Sequence, residues 1–365
     1  MSQELRETQP DRNLATAGPP LTIRPWQEGD EPGLTQLFQR AFGHPITVDH
    51  WRWKLRPEAC GFDNVWLALS QGTPVFQYAG IPLQFKLSGE TVRGVVSVDT
   101  MTAPEFRRRG LLTQVAAQAY GAWRAADVAF VIGLPNENWG TRARALGWQP
   151  LFPLQWLVRP LRPEAILAAR LKWPALRRMQ LLGTVWNAAL RGRVKRSADI
   201  KIEQMQQAGA EFDHIWERCS NDWTFSTIRD RQWVNWRFIS SPSRTYKILV
   251  ARRQGEPTGY LSYAVVNVAE RVSAYIAEVC AKPADLATRN SLLAELINTL
   301  DEARAESIHT LAVPGTAEFA RLQRAGFLAS HAFGVQLVPL RHDLPLGRML
   351  DRQQWNLSGA DFDAV

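Results

Sequence analysis

Residues 104–116 read PEFRRRGLLTQVA. Three consecutive arginines, Arg107, Arg108 and Arg109, run into Gly110, and apolar residues then recur at helical spacing. Two readings fit. One is a solvated basic loop. The other is an anion cradle, in which backbone N–H groups converge at a helix N-terminus, the helix dipole adds partial positive charge, and a glycine lets the chain approach a phosphate closely. The surrounding sequence separates them.

The stretch lies inside a repeat. Pro104, Pro135 and Gly147 recur as Pro283, Pro314 and Gly326 at one constant offset, and Ile23 and Ile202 keep that same separation. Both copies close on an aromatic, ALGW at 145–148 and RAGF at 324–327. Between these landmarks WRWK (51–54) resembles VNWRF (234–238), and LALSQGTPV (67–75) resembles VARRQGEPT (250–258), at a slightly larger offset that is compensated further on. A constant offset at separated landmarks points to duplication. The expected organisation is a disordered tail over 1–20, a unit over 21–158, a basic connector over 159–200, a second unit over 201–340 and a C-terminal tail over 341–365. Each unit reads as a strand and a helix, then strands around hairpin turns such as QG and SGE. In the first unit a loop and helix (104–125), the apolar strand VAFVIGL (128–134), a helix ending at Gly147 and a strand over 151–158 follow. The fold class is α/β, as two tandem domains, each a mixed, mostly antiparallel sheet flanked by helices.

With the elements in this order, three segments of the first unit resemble the GNAT superfamily of acyl-CoA N-acyltransferases. IRPWQEGD (23–30) looks like the family's first strand and turn. RRRGLL (107–112) looks like its pyrophosphate loop, [RQ]-x-x-G-x-[GA]. PNENWGTRARALGW (135–148) looks like its late strand, helix and closing G-[FW]. The resemblance implies that acetyl-CoA or another acyl-CoA is the co-substrate, held by Arg107, Arg108, Arg109, Gly110, Leu111 and Leu112, by the strand end Met101, Thr102 and Ala103, and by Asn136 near the pantetheine arm. Leu112 stands where the family has a second small residue, so its side chain must turn away from the phosphate. The second copy reads LATRNS (286–291) at the equivalent place, with Thr288 and Arg289 where Arg109 and Gly110 stand. It is expected not to bind coenzyme A there, but to pack on the first unit and shape an acceptor cleft.

Such an enzyme passes an acyl group to a primary amine. The amine is protonated at neutral pH, so a base must act before attack. The tetrahedral oxyanion needs a donor, here a backbone N–H of the strand over 95–103. Asp99, on that strand, is the first candidate base, and Glu137 the second. A capping or ion-paired carboxylate is an equal reading for Asp99, and dipole complementation is the preferred reading for Glu137. An N-cap is the alternative for Asn136. The family often supplies a tyrosine as acid toward the leaving thiolate, four residues before the closing glycine. Here that position is Ala143, which leaves an unassisted thiolate, Tyr120 or the second unit.

The bulk properties bound the rest. The chain of 365 residues is 45% hydrophobic and 21% charged, as in a soluble globular protein. Three scattered cysteines argue against a disulfide framework, and the six histidines show no metal-ligand spacing, so no metal is expected. No signal peptide or membrane-spanning run is read, and the expected location is cytoplasmic, at most peripheral at the inner membrane face. The positive charge is concentrated. Between Arg159 and Arg196 stand ten basic residues and one acid, Glu164, against +8 for the whole chain. Leu167, Leu171, Leu181, Leu182, Val185, Trp186 and Leu190 suggest amphipathic helices broken at Pro174. Their apolar faces are expected to pack on the two units, with contact to an anionic membrane as the alternative; nucleic acid is disfavoured for want of a motif. The recurring Trp51, Trp53, Trp233 and Trp236 read as core or interface anchors. The acceptor expected is a small amine, such as an amino sugar or a cell-envelope or polysaccharide precursor. The rivals are an aminoacyl-tRNA-dependent transferase of the peptidoglycan type and an inactive scaffold.

Overall fold

The computed structural model describes residues 20–56, 61–135, 139–179, 181–268 and 271–362, without the side chains at 140–142, 177, 191 and 268. The tail expected over 1–20 lies outside the described residues apart from its last position.

The first half runs β1 (Leu21–Pro25), α1 (Glu31–Phe42), α2 (Val48–Leu55), β2 (Val65–Ser70), β3 (Thr73–Leu87), β4 (Glu90–Thr102), α3 (Leu111–Ala125), β5 (Val128–Gly133), α4 (Gly140–Ala145) and β6 (Gln149–Pro160). The connector forms α5 (Pro163–Arg170), a 3-10 turn (Pro174–Arg178) and α6 (Leu181–Arg191). The second half repeats the order as β7 (Ile200–Met205), α7 (Ala210–Ser220), the short β8 (Phe225–Thr227), α8 (Arg231–Val234), β9 (Tyr246–Arg253), β10 (Glu256–Val268), β11 (Arg271–Ala281), α9 (Leu286–Glu302), β12 (Ser307–Ala312), α10 (Ala317–Arg324) and β13 (Leu328–Pro339). Then come α11 (Leu346–Met349) and β14 (Trp355–Asn356). Local chemistry accounts for the boundaries that matter below. Pro32 stands in the first turn of α1 and Gly43 ends it in the left-handed region, while Thr47 caps α2 by accepting from His50 N–H. The unbroken apolar run of β5 is buried at every position, as a strand covered on both faces requires.

The halves share one mixed sheet. Its order is β1-β2-β3-β4-β5-β13-β6-β12-β11-β10-β9-β7, with β8 paired to β3 and β14 to β8. The mixed, largely antiparallel sheet flanked by helices is the fold expected, and the strands of the two halves run continuously through it. β6 pairs with β12 and β13 rather than with β5, and β13 pairs with β5 and β6. Each half sends its last strand into the other, which leaves no open sheet edge at the junction. Tryptophans seal the same junction: Trp53 Nε1 donates to the Trp236 carbonyl at 2.9 Å, and Trp236 Nε1 donates to the Trp53 carbonyl at 2.9 Å. Trp51 and Trp233 are buried.

Two expectations change. The segment after 340 is not a loose tail: Met349, Trp355, Leu357, Ala360 and Phe362 are buried, and Asp361 binds the buried Arg229 at 2.7 Å. The connector turns the wrong way round for an amphipathic pair packed by its apolar faces. Leu190 is buried and Trp186 Nε1 donates to the Pro160 carbonyl, but Leu167, Leu171, Leu181, Leu182 and Val185 face solvent. Gly183, on the docked face of α6, explains the choice. A Cβ there would lie 2.9 Å from a Glu164 carboxylate oxygen and 3.2 Å from the Leu161 carbonyl, so the helix approaches on its smallest residue.

Candidate active site

The quoted stretch folds as a turn into α3. Gly110 is the N-cap residue at φ +74°, and Arg108 is also left-handed at φ +66°. Left-handed backbone is cheap for glycine and strained for arginine, so the turn holds one strained residue beside one permissive one. The first N–H groups of a helix have no intrahelical partner, and those of α3 are left without a side-chain cap. Arg107, Arg108 and Arg109 are exposed, and none forms a salt bridge with a described carboxylate. Arg109 stacks over Phe106 with its guanidinium carbon 4.6 Å from the ring centre. Leu111 is buried and Leu112 packs against the core, so the leucine that departs from the expected small residue turns inward.

Beside this turn two parallel strands separate. β4 and β5 pair from Arg93↔Val128 to Val96↔Ile132, and beyond Val96 the strand β4 continues without β5 beside it. A cavity of about 260 Å³ opens in the gap, lined by Ser97, Asp99 and Thr100 on one side and Gly133, Leu134 and Pro135 on the other. Ala103 N–H donates to the Val75 carbonyl and its own carbonyl accepts from Phe106, so Ala103 offers a ligand no free backbone group. Strand alternation turns Met101 the same way, toward β3, and turns the N–H group of Thr102 to the open side.

Asp99 sits at the far end of the gap. A bulge in β4 interrupts the register opposite Tyr78, and Asp99 occupies it at φ +48°. Bulges re-aim side chains beside active sites. This one aims the carboxylate at Lys54, with Nζ to Oδ2 at 2.9 Å and side chains 4% and 11% exposed. The Asp99 carbonyl accepts from Gln77, which itself accepts from Trp51 Nε1. A second cavity of about 400 Å³ begins on the other side of Asp99, between α1–α2 and the second half. Lys54, Arg237 and Arg244 line it, together with His44 and His50, and Asp99 is the only acid among its described lining residues. Phe42 and Asp99 border both cavities. Lys54 was not singled out from the sequence, although the WRWK and VNWRF segments place a cation after the last tryptophan of each copy.

Residues 22–151 match the model of the acetyltransferase (GNAT) domain. The first half is a GNAT domain. A search of the curated proteins gives no match. Among solved structures, a GCN5-related N-acetyltransferase of Anabaena variabilis superposes with a TM-score of 0.63 at 10% identity, over 88% of this chain and 73% of that one. A probable N-acyltransferase of Enterococcus faecalis gives 0.65 at 12%, over 88% and 72%. A GCN5-related N-acetyltransferase of Kribbella flavida gives 0.58 at 13%, over 87% and 70%. At such identities the likeness shows the fold alone, and its coverage extends across both halves.

Within the GNAT domain, Asp99 lines the gap between β4 and β5, and the turn over Arg107 to Leu112 follows the end of β4 in the chain. Asn136 and Glu137 lie outside the described residues. Ala143, at the place of the family's tyrosine, is buried. Tyr120 does not replace it. Its hydroxyl is buried 2.8 Å from the Tyr78 hydroxyl and accepts from Trp148 Nε1 at 3.0 Å. Burial pushes both phenols up, Tyr78 to about 12 and Tyr120 well above the usual value, so neither gives up a proton near neutral pH. Among the described residues no group of histidine, cysteine and acidic side chains has the geometry to hold a metal.

Proposed function

We propose that the GNAT domain binds an acyl-CoA, with acetyl-CoA as the first donor to try, and transfers the acyl group to a primary amine. The observation that carries this is the pairing of an α3 N-terminus without a side-chain cap, directly after β4, with a gap between β4 and β5 that Asp99 lines. The diphosphate would meet the α3 N–H groups and the three arginines, and the pantetheine arm would run along the free side of β4. The outward N–H group of Thr102 would serve as a donor to the oxyanion. Asp99, directly or through a water, takes a proton from the acceptor ammonium. Lys54 holds that carboxylate in place. The thiolate leaves unassisted, as a thiol pKa of about 8.5 permits.

The acceptor enters from the 400 Å³ cavity. Its surplus of cations favours an amine that also carries a carboxylate or a phosphate. A phosphorylated amino sugar, as an envelope or polysaccharide precursor, belongs to that class. We further infer that the halves arose by duplication, that the second half completes this acceptor cavity, and that the enzyme works in the cytoplasm.

Calorimetric titration of acetyl-CoA and CoA into wild type and Gly110→Trp tests the donor site. Micromolar binding, one site per chain, lost in a variant with an unchanged circular dichroism spectrum, is the expected result. Absence of binding to wild type sinks the proposal and moves the aminoacyl-tRNA-dependent and scaffold readings ahead. Matched amines with and without an anionic group, assayed on wild type and Arg244→Ala, then test the acceptor class. The variant should raise KM for the anionic amines alone.

A further inference from the structure

Outside the proposed catalytic site, the connector presents a surface that the acyl-transfer reading does not use. Leu181, Val185, Leu171 and Trp173 are 77%, 66%, 61% and 60% exposed, and Met179, Leu167 and Leu182 are exposed beside them. Isolated surface leucines are ordinary, but seven large apolar side chains exposed together over 167–185 mark an interaction site. Among the described side chains of α6, the solvent-facing ones are Leu181, Leu182, Thr184, Val185, Ala188 and Ala189. Not one is charged. The opposite face of α6 is the one docked, through Gly183, Asn187 and Leu190, with Asn187 Nδ2 donating to the Leu161 carbonyl at 3.0 Å.

Along the connector itself the exposed charge has one sign. Arg170, Lys172, Arg178, Arg193 and Lys195 are exposed, and none forms a salt bridge with a described residue. Glu164, the only acid between Arg159 and Arg196, is buried. An uncharged helical face bordered by exposed arginines and lysines has the composition of a helix lying in a lipid interface, with its apolar side chains among the acyl chains and its cations among anionic headgroups.

We propose that residues 167–179 and 181–185 dock this protein on an anionic membrane surface, with α6 parallel to the plane. No described helix is long and apolar enough to cross a membrane, so the contact is peripheral. Other occupants fit less well. A second copy would bring two like-charged rims together, which costs rather than gains energy. The chain's own segment 1–19 holds only Met1, Leu5 and Leu14 as large aliphatic side chains, too few to cover the face.

The test is co-sedimentation of the full chain with vesicles of phosphatidylcholine alone and with roughly one third phosphatidylglycerol. Binding is expected to the anionic vesicles, to weaken as salt is added, and to be slight on phosphatidylcholine. Leu181→Glu with Val185→Glu, both at exposed positions, should lower the bound fraction on the order of tenfold or more while leaving the circular dichroism spectrum and acetyl-CoA titration unchanged. Lys172→Glu with Arg178→Glu should abolish the preference for anionic lipid. The proposal is overturned if wild type ignores both vesicles, or if the leucine–valine variant binds as wild type does. It is also overturned if light scattering finds a dimer that this variant dissociates while wild type leaves the vesicles unbound. In that last case the face joins two copies.

Discussion

The helix that follows the third long strand begins differently in the two halves. In the first, α3 starts behind Gly110, with its N–H groups uncapped and three arginines before them. In the second, α9 starts behind Asp285, whose carboxylate accepts from Thr288 N–H at 3.0 Å and from the Thr288 hydroxyl at 2.8 Å. Arg253 pairs with the same carboxylate at 3.0 Å. Burial pushes Asp285 up, but the bonds from Arg253 and Thr288 outweigh it and hold the carboxyl below its usual value. An ionised side chain thus fills the place a diphosphate would take. The counterpart of Asp99 tells the same story. Glu278 stands at the offset that relates the other landmarks of the two copies, but it is buried against Arg229, with Asp361 on the other side of that guanidinium, both at 2.7 Å. The groove of about 370 Å³ beside β11 and β12 is walled in part by the C-terminal segment, at Trp355, Leu357 and Ser358. On the proposed function, one arrangement of backbone would serve a ligand in one half. In the other, the same positions are spent on holding the chain together.

Four experiments break or sharpen this comparison. The largest effect belongs to Asp99→Asn, which should lower kcat by about 10²–10⁴-fold with KM for the acyl donor little changed. An equal fall in Glu278→Gln would erase the contrast between the halves. Next is Arg229→Met, which leaves Glu278 and Asp361 buried without their cation. Burial already raises Glu278, and the loss should cost about 3–5 kcal/mol in denaturant unfolding while acetyl-CoA affinity in the folded protein stays as it was. Third, Gly110→Asp copies the second half's cap into the first. Acetyl-CoA should bind on the order of tenfold to a hundredfold more weakly, through charge repulsion and loss of the open N–H groups. Asp285→Gly should not create a second CoA site; a second calorimetric site would mean that the aspartate alone separates the halves. The smallest effect is acid sensitivity at Glu318. Burial raises this carboxyl, but Arg289 and Arg321 hold it down to about 2 from an ordinary 4.5. A depressed carboxyl stabilises the fold above its unfolded pKa and loses that contribution as pH falls through the folded one. The stability difference between wild type and Glu318→Gln should be constant above about pH 5 and shrink between 4.5 and 2, measured by thermal unfolding.

The turn into α3 was legible because it is local. Arginines, a glycine and helical spacing, all inside 104–116, specify a turn and an uncapped helix whatever the distant chain does. The bulge that turns Asp99 toward Lys54 was not legible, since strand register depends on β3 and the cation comes from α2, far earlier in the chain. The connector shows the same limit. Periodicity established that α6 has an apolar face, but it did not say which face docks. Steric access decided that, because only the side with Gly183 approaches Glu164 and Leu161 closely.

The sequence by itself determined the order of elements along the chain and the contrast between an arginine-glycine turn at one helix start and a different start at the other. These follow from short-range backbone preferences and from the offset of landmarks along the chain. Tertiary structure alone decided that β6 and β13 change places, that the C-terminal segment is sealed in by Arg229, and that Asp99 joins two cavities built from both halves. Strand pairing, buried ion pairs and cavities are set by residues far apart in sequence, and their geometry exists only once those residues compete for the same space.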